Sequence, residues 1–251
     1  MNQDARWARP YFWRSDARAM LLYFVFGEFE KELKLDIGRH SSTGLPAGVM
    51  MHRFDKNLLA HWEGHPLRGA LGDLLRGDDP ETFKAARAAP ECIMLRGELA
   101  DPESLDYLRD TLGVVGALLD AGGRVVIDPQ ILALFPVDAW RERYADGGAS
   151  IRAHLLILAH DEDDGAWVRT RGMRKFARPD ISIRQVPQAE VERAGAIAMR
   201  LAELQAQGMR FVDGTALEAE GVPPGLIAHL RGSLEDPQFN NIHVEFIWPD
   251  A

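Results

Sequence analysis

A block of opposite charges is the part of the sequence whose residue types could most readily carry chemistry. In "DEDDGAWVRTRGMRKFARPDISI", Asp161 to Ile183, four acids precede five cations: Arg169, Arg171, Arg174, Lys175 and Arg178. Guanidinium groups bind carboxylates and phosphates through paired hydrogen bonds. The pattern predicts a hairpin whose return strand is "AWVRT", followed by a short helical turn before Pro179. These five cations are the predicted binding site for a small anion or a partner protein.

The same block also fits an ordinary solvated surface. Its acids and cations flank one predicted hairpin, where they would neutralise each other without binding anything. Exposed ion pairs of this kind stabilise a fold by only about 0–1 kcal/mol, and charge runs on loops are usually exposed. The sequence alone leaves both interpretations open.

Histidines and a carboxylate suggest a second kind of site. His154 and His160 share a face of a strand predicted over 151–160, and His243 and Glu245 share a face of a later strand. If those strands were neighbours, the four side chains would form a general acid–base site. A hydrolase is therefore the alternative function, although a sheet with one wet face explains the same spacing.

The sequence contains no recognisable metal or cofactor motif, so we predict neither. His61 and His65 have the spacing of zinc ligands on a helix, but Gly64 and Pro66 interrupt any helix there. We interpret Asp128, at the end of "VVIDPQ", as the cap of the following turn. The phosphate-binding loop, the dinucleotide fingerprint and the nucleophile elbow do not occur.

Composition limits the partners that we expect. The 251 residues carry a net charge of -9, and the acid excess lies in residues 90–251, which argues against nucleic-acid binding. "AMLLYFVF" (Ala19–Phe26) is too short to cross a bilayer, so we predict a buried strand, no membrane association and a cytoplasmic location. Arginine outnumbers lysine 24 to 5, which is typical of GC-rich bacterial genomes. The single cysteine, Cys92, excludes an internal disulfide, and nothing indicates an oligomeric state.

The order of predicted elements gives the fold class. Residues 1–89 form an N-terminal region that we do not separate from the core, and residues 90–251 form the core domain. "ECIMLRG", a helix capped by Asp101, and "RVVIDP" predict a βαβ unit. Hairpins and a second helix, closed by Gly208, follow. We therefore predict an α+β domain with a mixed β-sheet, a βαβ unit and hairpins, and helices mainly on one face.

The basic stretch also resembles a known pattern. "WVRTRGMRKFARPDISI" is similar to the segment W-x-x-T-x-G-[LM]-x-x-[FY]-x-x-P-[DE]-[IL]-x-[IV] of uncharacterised bacterial domains of unknown function, and "DGTALEAEGV" resembles a later stretch of such proteins. Ala177 stands where glycine is usual in such proteins. The resemblance implies no catalytic residues, and some such proteins are of the bacterial immunity type. It therefore favours a non-catalytic, immunity-like binding protein.

Overall fold

The chain folds into two compact units. The computed structural model describes residues 6–145, 147–219 and 221–249, and its helices and strands confirm the predicted α+β class. The first unit contains residues 6–7, Met20–Leu99 and Ser104–Ala153, and the second contains Ala8–Ala19, Ala100–Glu103 and the described residues from His154 onward.

The first unit is built on a five-stranded sheet. Its strands are β1 (Arg18–Gly27), β2 (Val49–Phe54), β3 (Glu91–Ala100), β4 (Gly123–Asp128) and β5 (Ala133–Pro136), in the order β2-β3-β1-β4-β5. The central place of β1 explains its unbroken apolar run, because a central strand is buried on both faces. Helix α5 (Asp106–Asp120) connects β3 to β4, but β1 lies between them. The predicted βαβ unit is therefore split by β1.

Helices cover both faces of this first sheet. They are α1 (Ile37–His40), α2 (Lys56–His61), α3 (Gly69–Asp78), α4 (Pro80–Ala88), α5 and α6 (Val137–Arg143). Phe24 and Phe26 of β1 belong to an apolar cluster with Phe83 of α4. Tyr23, which alternates with them, meets Trp140 of α6 edge to face with a centroid separation of 5.9 Å. The boundary predicted at 89/90 falls inside this unit, between α4 and β3.

The second unit contains the predicted mixed sheet. Its strands are β6 (Leu156–Glu162), β7 (Gly165–Arg171), β8 (Asp180–Val186), β9 (His229–Ser233) and β10 (Asn241–Ile247), in the order β6-β7-β8-β10-β9. β8 and β10 run parallel, and the other described pairs are antiparallel. Helix α7 (Val191–Ala206) packs against β6, β7 and β8. The prediction of helices mainly on one face therefore describes this second unit.

Several local predictions require correction. Ile151–His154 form a 3-10 turn, so the strand predicted over 151–160 begins only at Leu156. The return strand extends through Arg171, past the predicted end. By contrast, the carboxylate of Asp128 accepts a backbone N–H group at the start of its helical turn, as predicted, and that of Asp79 does the same at the start of α4.

The hydropathy of the helices gives one further result. Among the residues that the structure describes, no helix is both long enough and apolar enough to cross a membrane.

Candidate functional site

One side of the second sheet carries nearly all of its polar side chains. Strand alternation directs Val168, Ile183 and Val244 to the opposite, fully buried side. We call the polar side the polar face, and its members are His160, Glu162, Trp167, Arg169, Arg171, Ser182, Arg184, His243 and Glu245. The register places Arg169 opposite Ser182 and His160 opposite Trp167, so β6, β7 and β8 present these groups side by side.

Trp167 lies at the centre of the polar face between two guanidinium groups. The guanidinium carbons of Arg169 and Arg184 are 4.0 and 4.1 Å from its ring centroid. Its indole N–H donates to the Ser182 hydroxyl at 2.8 Å, which fixes the ring plane. Cations over an indole face are attracted by the ring quadrupole, and the attraction grows as water is excluded. The ring therefore holds both arginines in place.

The two stacked arginines differ in their charge balance. Arg184 donates to Glu162 and to Glu245, each at 2.8 Å, and so joins β6 to β10 across the sheet. His243, with its Nε2 3.9 Å from Glu245, and Arg184 together hold the pKa of the Glu245 carboxyl at about 2. Arg184 therefore has two carboxylate partners within the polar face, one negative charge more than its own charge requires.

Arg169 and Arg171 lack such direct ion pairs, although Asp236 lies close enough to favour the charged form of both. Each is only 8% exposed, and in the described part of the chain neither forms an ion pair with a carboxylate. Arg169 donates to the His160 ring nitrogen at 2.8 Å and to the Gln238 side chain at 3.1 Å, and Arg171 donates to the Gln238 carbonyl at 2.6 Å. The Nε atoms of both are buried without a hydrogen-bond partner among the described residues. Burial lowers the pKa of both guanidinium groups.

The segment between β9 and β10, residues 234–240, covers these two arginines. Phe239 stacks on His243 with a centroid separation of 4.1 Å and meets Trp167 edge to face at 5.7 Å. Gln238 supplies acceptors to Arg169 and Arg171. The segment thus contacts the two guanidinium groups through neutral oxygens and not through a carboxylate.

The other three predicted cations lie off the polar face. Lys175 is fully buried and donates to the carbonyl of His154 at 3.2 Å. Arg174 donates to the carbonyl of Asn240 at 3.3 Å. Both belong to the short 3-10 turn Met173–Phe176, which begins after Gly172 at φ 112° and ends at Ala177 at φ 54°. A glycine at position 177 would adopt that left-handed conformation without strain.

Arg178 is part of a buried network that holds the second unit together. It donates to Asp101 at 2.8 Å and to the carbonyls of Trp13 and Gly208 at 3.0 Å. Arg9 donates to the other oxygen of the same carboxylate at 2.7 Å, and these side chains are almost completely buried. Asp101 is therefore not the cap predicted for α5, which begins at Asp106. The predicted solvated surface is also wrong for Arg178 and Lys175.

A buried carboxyl group stabilises the turn that begins at the end of β7. Asp180 accepts hydrogen bonds from the Thr170 hydroxyl at 2.9 Å and from the Asn241 amide at 2.8 Å. Burial raises the pKa of Asp180 to about 6 against the effect of these donors. The group therefore titrates close to neutral pH.

Three of the four members of the alternative acid–base site lie on the polar face, but His160 is not adjacent to the other two. His160 lies on β6, and two strands, β7 and β8, separate it from His243 and Glu245 on β10. His154 is buried in the 3-10 turn before β6, where it meets Phe176. Within residues 6–145, 147–219 and 221–249, no cluster of three or more histidine, cysteine, aspartate or glutamate side chains could hold a metal ion.

Two parts of this site had no counterpart in the sequence analysis. Arg184 was visible only as a residue of a strand, and Gln238 and Phe239 only as part of a turn between strands. A period-two pattern of Trp167, Arg169 and Arg171 along one strand was the signal that could have revealed the polar face.

Comparison of the chain with protein-family models, with curated proteins and with solved structures found no match to any of them. The functional argument therefore depends on the geometry of the site.

Proposed function

We propose that the protein is a non-catalytic binding protein whose polar face accepts an anionic group. The group is either a small anion or a carboxylate from an acidic segment of a partner protein. The observation that carries the proposal is that Arg169 and Arg171 are buried side by side and share neutral acceptors from Gln238. Buried guanidinium groups without a carboxylate in hydrogen-bond contact are costly, and a bound carboxylate or phosphate would reduce that cost.

The arrangement of Arg169 supports recognition of a planar or branched anion. Its guanidinium is held in place over the Trp167 ring and by the hydrogen bond to His160. A guanidinium that is already oriented loses less freedom when it forms paired hydrogen bonds with a carboxylate. The resemblance to immunity-type proteins agrees with a protein ligand.

The carboxylates of the polar face favour binding over catalysis. Glu162 and Glu245 are both occupied by Arg184, and the pKa of Glu245 lies at about 2. A general base works best when its pKa is near the working pH, so this carboxylate is a poor one.

Isothermal titration calorimetry tests the proposal with three probes: inorganic phosphate, glutarate, and a peptide of alternating aspartate and glycine. We expect at least one probe to bind, and Arg169→Gln or Arg171→Gln to weaken it about tenfold or more. Arg200→Gln, an exposed change on α7, is the matched control and should have no effect. Binding of the peptide alone indicates a protein partner, and binding of phosphate or glutarate indicates a small anion.

Two outcomes would contradict the proposal. One is that none of the three probes binds at millimolar concentration. The other is that binding occurs but is weakened equally by Arg200→Gln and Arg171→Gln, which would indicate a general charge effect.

A further inference from the structure

The first unit contains a cavity that the proposed function does not use. It has a volume of about 830 Å³ and lies between α1 with the loop that follows it, α5 and α6. This volume is typical of sites for small organic molecules. Trp7, Trp140 and Tyr144 contribute aromatic rings to its lining, and Leu112 and Leu119 of α5 add aliphatic surface.

The polar part of the cavity is centred on a single carboxylate. Arg39 contacts both oxygens of Asp120, at 2.7 and 2.9 Å. Arg141 donates to one of these oxygens at 2.9 Å, and His40 contacts the other at 2.9 Å. The Nδ1 of His40 accepts the backbone N–H of Asp36, so Nε2 is the nitrogen that donates to Asp120. Three donor groups therefore converge on one acceptor group.

The charges at this point do not balance. Asp120 is ionised at neutral pH, because His40 and Arg39 hold its pKa below the ordinary value despite the opposing effect of burial. Its single negative charge is shared by two guanidinium groups, which leaves one positive charge over. The side chains of Arg39 and Arg141 are 66% and 53% exposed, so both can turn toward a ligand at little cost.

Two glycines of α5 make the position of His40 achievable. A Cβ at Gly113 would lie 2.3 Å from the backbone oxygen of His40, so the loop can rest directly on the helix only because that atom is absent. At Gly116 the nearest atom to such a Cβ would be a ring carbon of His40 at 3.6 Å. The sequence of α5 thus places the histidine, and with it the polar end of the cavity.

We infer that this cavity binds a small organic anion, whose phosphate or carboxylate group pairs with Arg39 and Arg141 and whose apolar part lies against Trp140 and Tyr144. Charge-assisted bonds to the two guanidinium groups account for the anionic end. The apolar end would meet the small exposed parts of Trp140 and Tyr144, which are 3% and 7% exposed, together with Leu112 and Leu119. The site is separate from the polar face, and neither proposal depends on the other.

Calorimetric titration with phenyl phosphate tests this inference, with inorganic phosphate and phenol as partial probes. We expect phenyl phosphate to bind more tightly than either partial probe. Arg39→Gln and Arg141→Gln should each weaken it about tenfold. Arg124→Gln is the matched control, because Arg124 is an equally exposed arginine of the first unit outside the cavity. Circular dichroism verifies that each variant is folded.

Each remaining outcome would overturn the inference. Equal affinity for inorganic phosphate would show that the apolar lining does not contribute, and equal affinity for phenol would show that the arginines do not. Affinity that falls in Arg171→Gln but not in Arg39→Gln would assign the ligand to the polar face. If phenyl phosphate does not bind at millimolar concentration, the inference is wrong.

Discussion

The hydroxyl of Thr170 donates to the carboxyl of Asp180 at 2.9 Å, in a part of the second unit where both side chains are completely buried. The Thr170 oxygen in turn accepts the backbone N–H of Ile181 at 2.8 Å. This chain of bonds ties the end of β7 to the start of β8, where Asp180 also favours the charged form of Arg171. It also places a titratable group where its ionisation must affect the fold.

Stability should depend on pH through Asp180. Its pKa is raised from 3.8 to about 6, so its contribution is complete below pH 3.8 and is lost as the pH rises through 6. The free energy of unfolding of the native chain relative to Asp180→Asn should therefore fall by about 3 kcal/mol between pH 3.5 and pH 7. Urea unfolding at a series of pH values measures this difference. A flat difference, or one that grows with pH, would disprove the raised pKa.

Removal of Arg178 should destabilise the second unit strongly. Arg178→Met removes a donor from the carbonyls of Trp13 and Gly208, although Gly208 keeps the backbone N–H of Trp13, and it leaves Asp101 with one partner fewer. Loss of one member of a buried ion pair typically costs about 3–5 kcal/mol, and we expect a loss in this range. Chemical denaturation measures it, with the exposed Arg200→Met as a control that should change stability by less than about 0.5 kcal/mol. A loss as small as that of the control would refute a structural role.

Arg171 should behave in the opposite way. Its guanidinium is buried without a carboxylate partner, so Arg171→Met removes a desolvation cost together with one hydrogen bond to Gln238. We expect the free energy of unfolding to stay within about 1 kcal/mol of the native value or to rise, while anion binding is lost. The same urea titration tests this. A loss above about 2 kcal/mol would mean that Arg171 serves the fold rather than a ligand.

The glycines of α5 provide a matched pair for the first unit. Alanine is normally more favourable than glycine within a helix by about 1 kcal/mol. Gly116→Ala should follow this rule, because its Cβ would have only ordinary contacts. Gly113→Ala should lower stability, because its Cβ would meet the His40 backbone oxygen at 2.3 Å. Thermal unfolding compares the two variants, and equal shifts in melting temperature would rule out the close packing of the loop on α5.

Local signals were sufficient for much of the secondary structure. Asp79 followed by Pro80 indicates the start of α4, because a cap and the helix it serves are adjacent in sequence. The same reasoning failed at Asp101, whose residues Asp-Pro look equally like a cap. Its partners Arg9 and Arg178 lie 92 and 77 positions away, and their burial around it depends on tertiary packing.

The candidate site could be predicted only in part for a similar reason. The five cations lie within ten residues, yet they lie in three different places. Two are on the polar face, one contacts the segment between β9 and β10, and two are in the interior. Strand alternation explains why Arg169 and Arg171 share a face. The burial of Arg178 depends on acceptor carbonyls at Trp13, Gly208 and Met209, which are distant in sequence and which no local pattern reveals.

Gln238 occupies the hydrogen-bonding positions on Arg169 and Arg171 that a ligand of the polar face would take. Because this residue is covalently attached through a short segment, it competes as if present at roughly millimolar concentration. Under the proposed function, a ligand that offers only what an amide or a peptide carbonyl already offers gains nothing by replacing these groups. A ligand with a full negative charge would gain more from the two guanidinium groups than Gln238 does, so discrimination against neutral ligands would precede any ligand-specific contact.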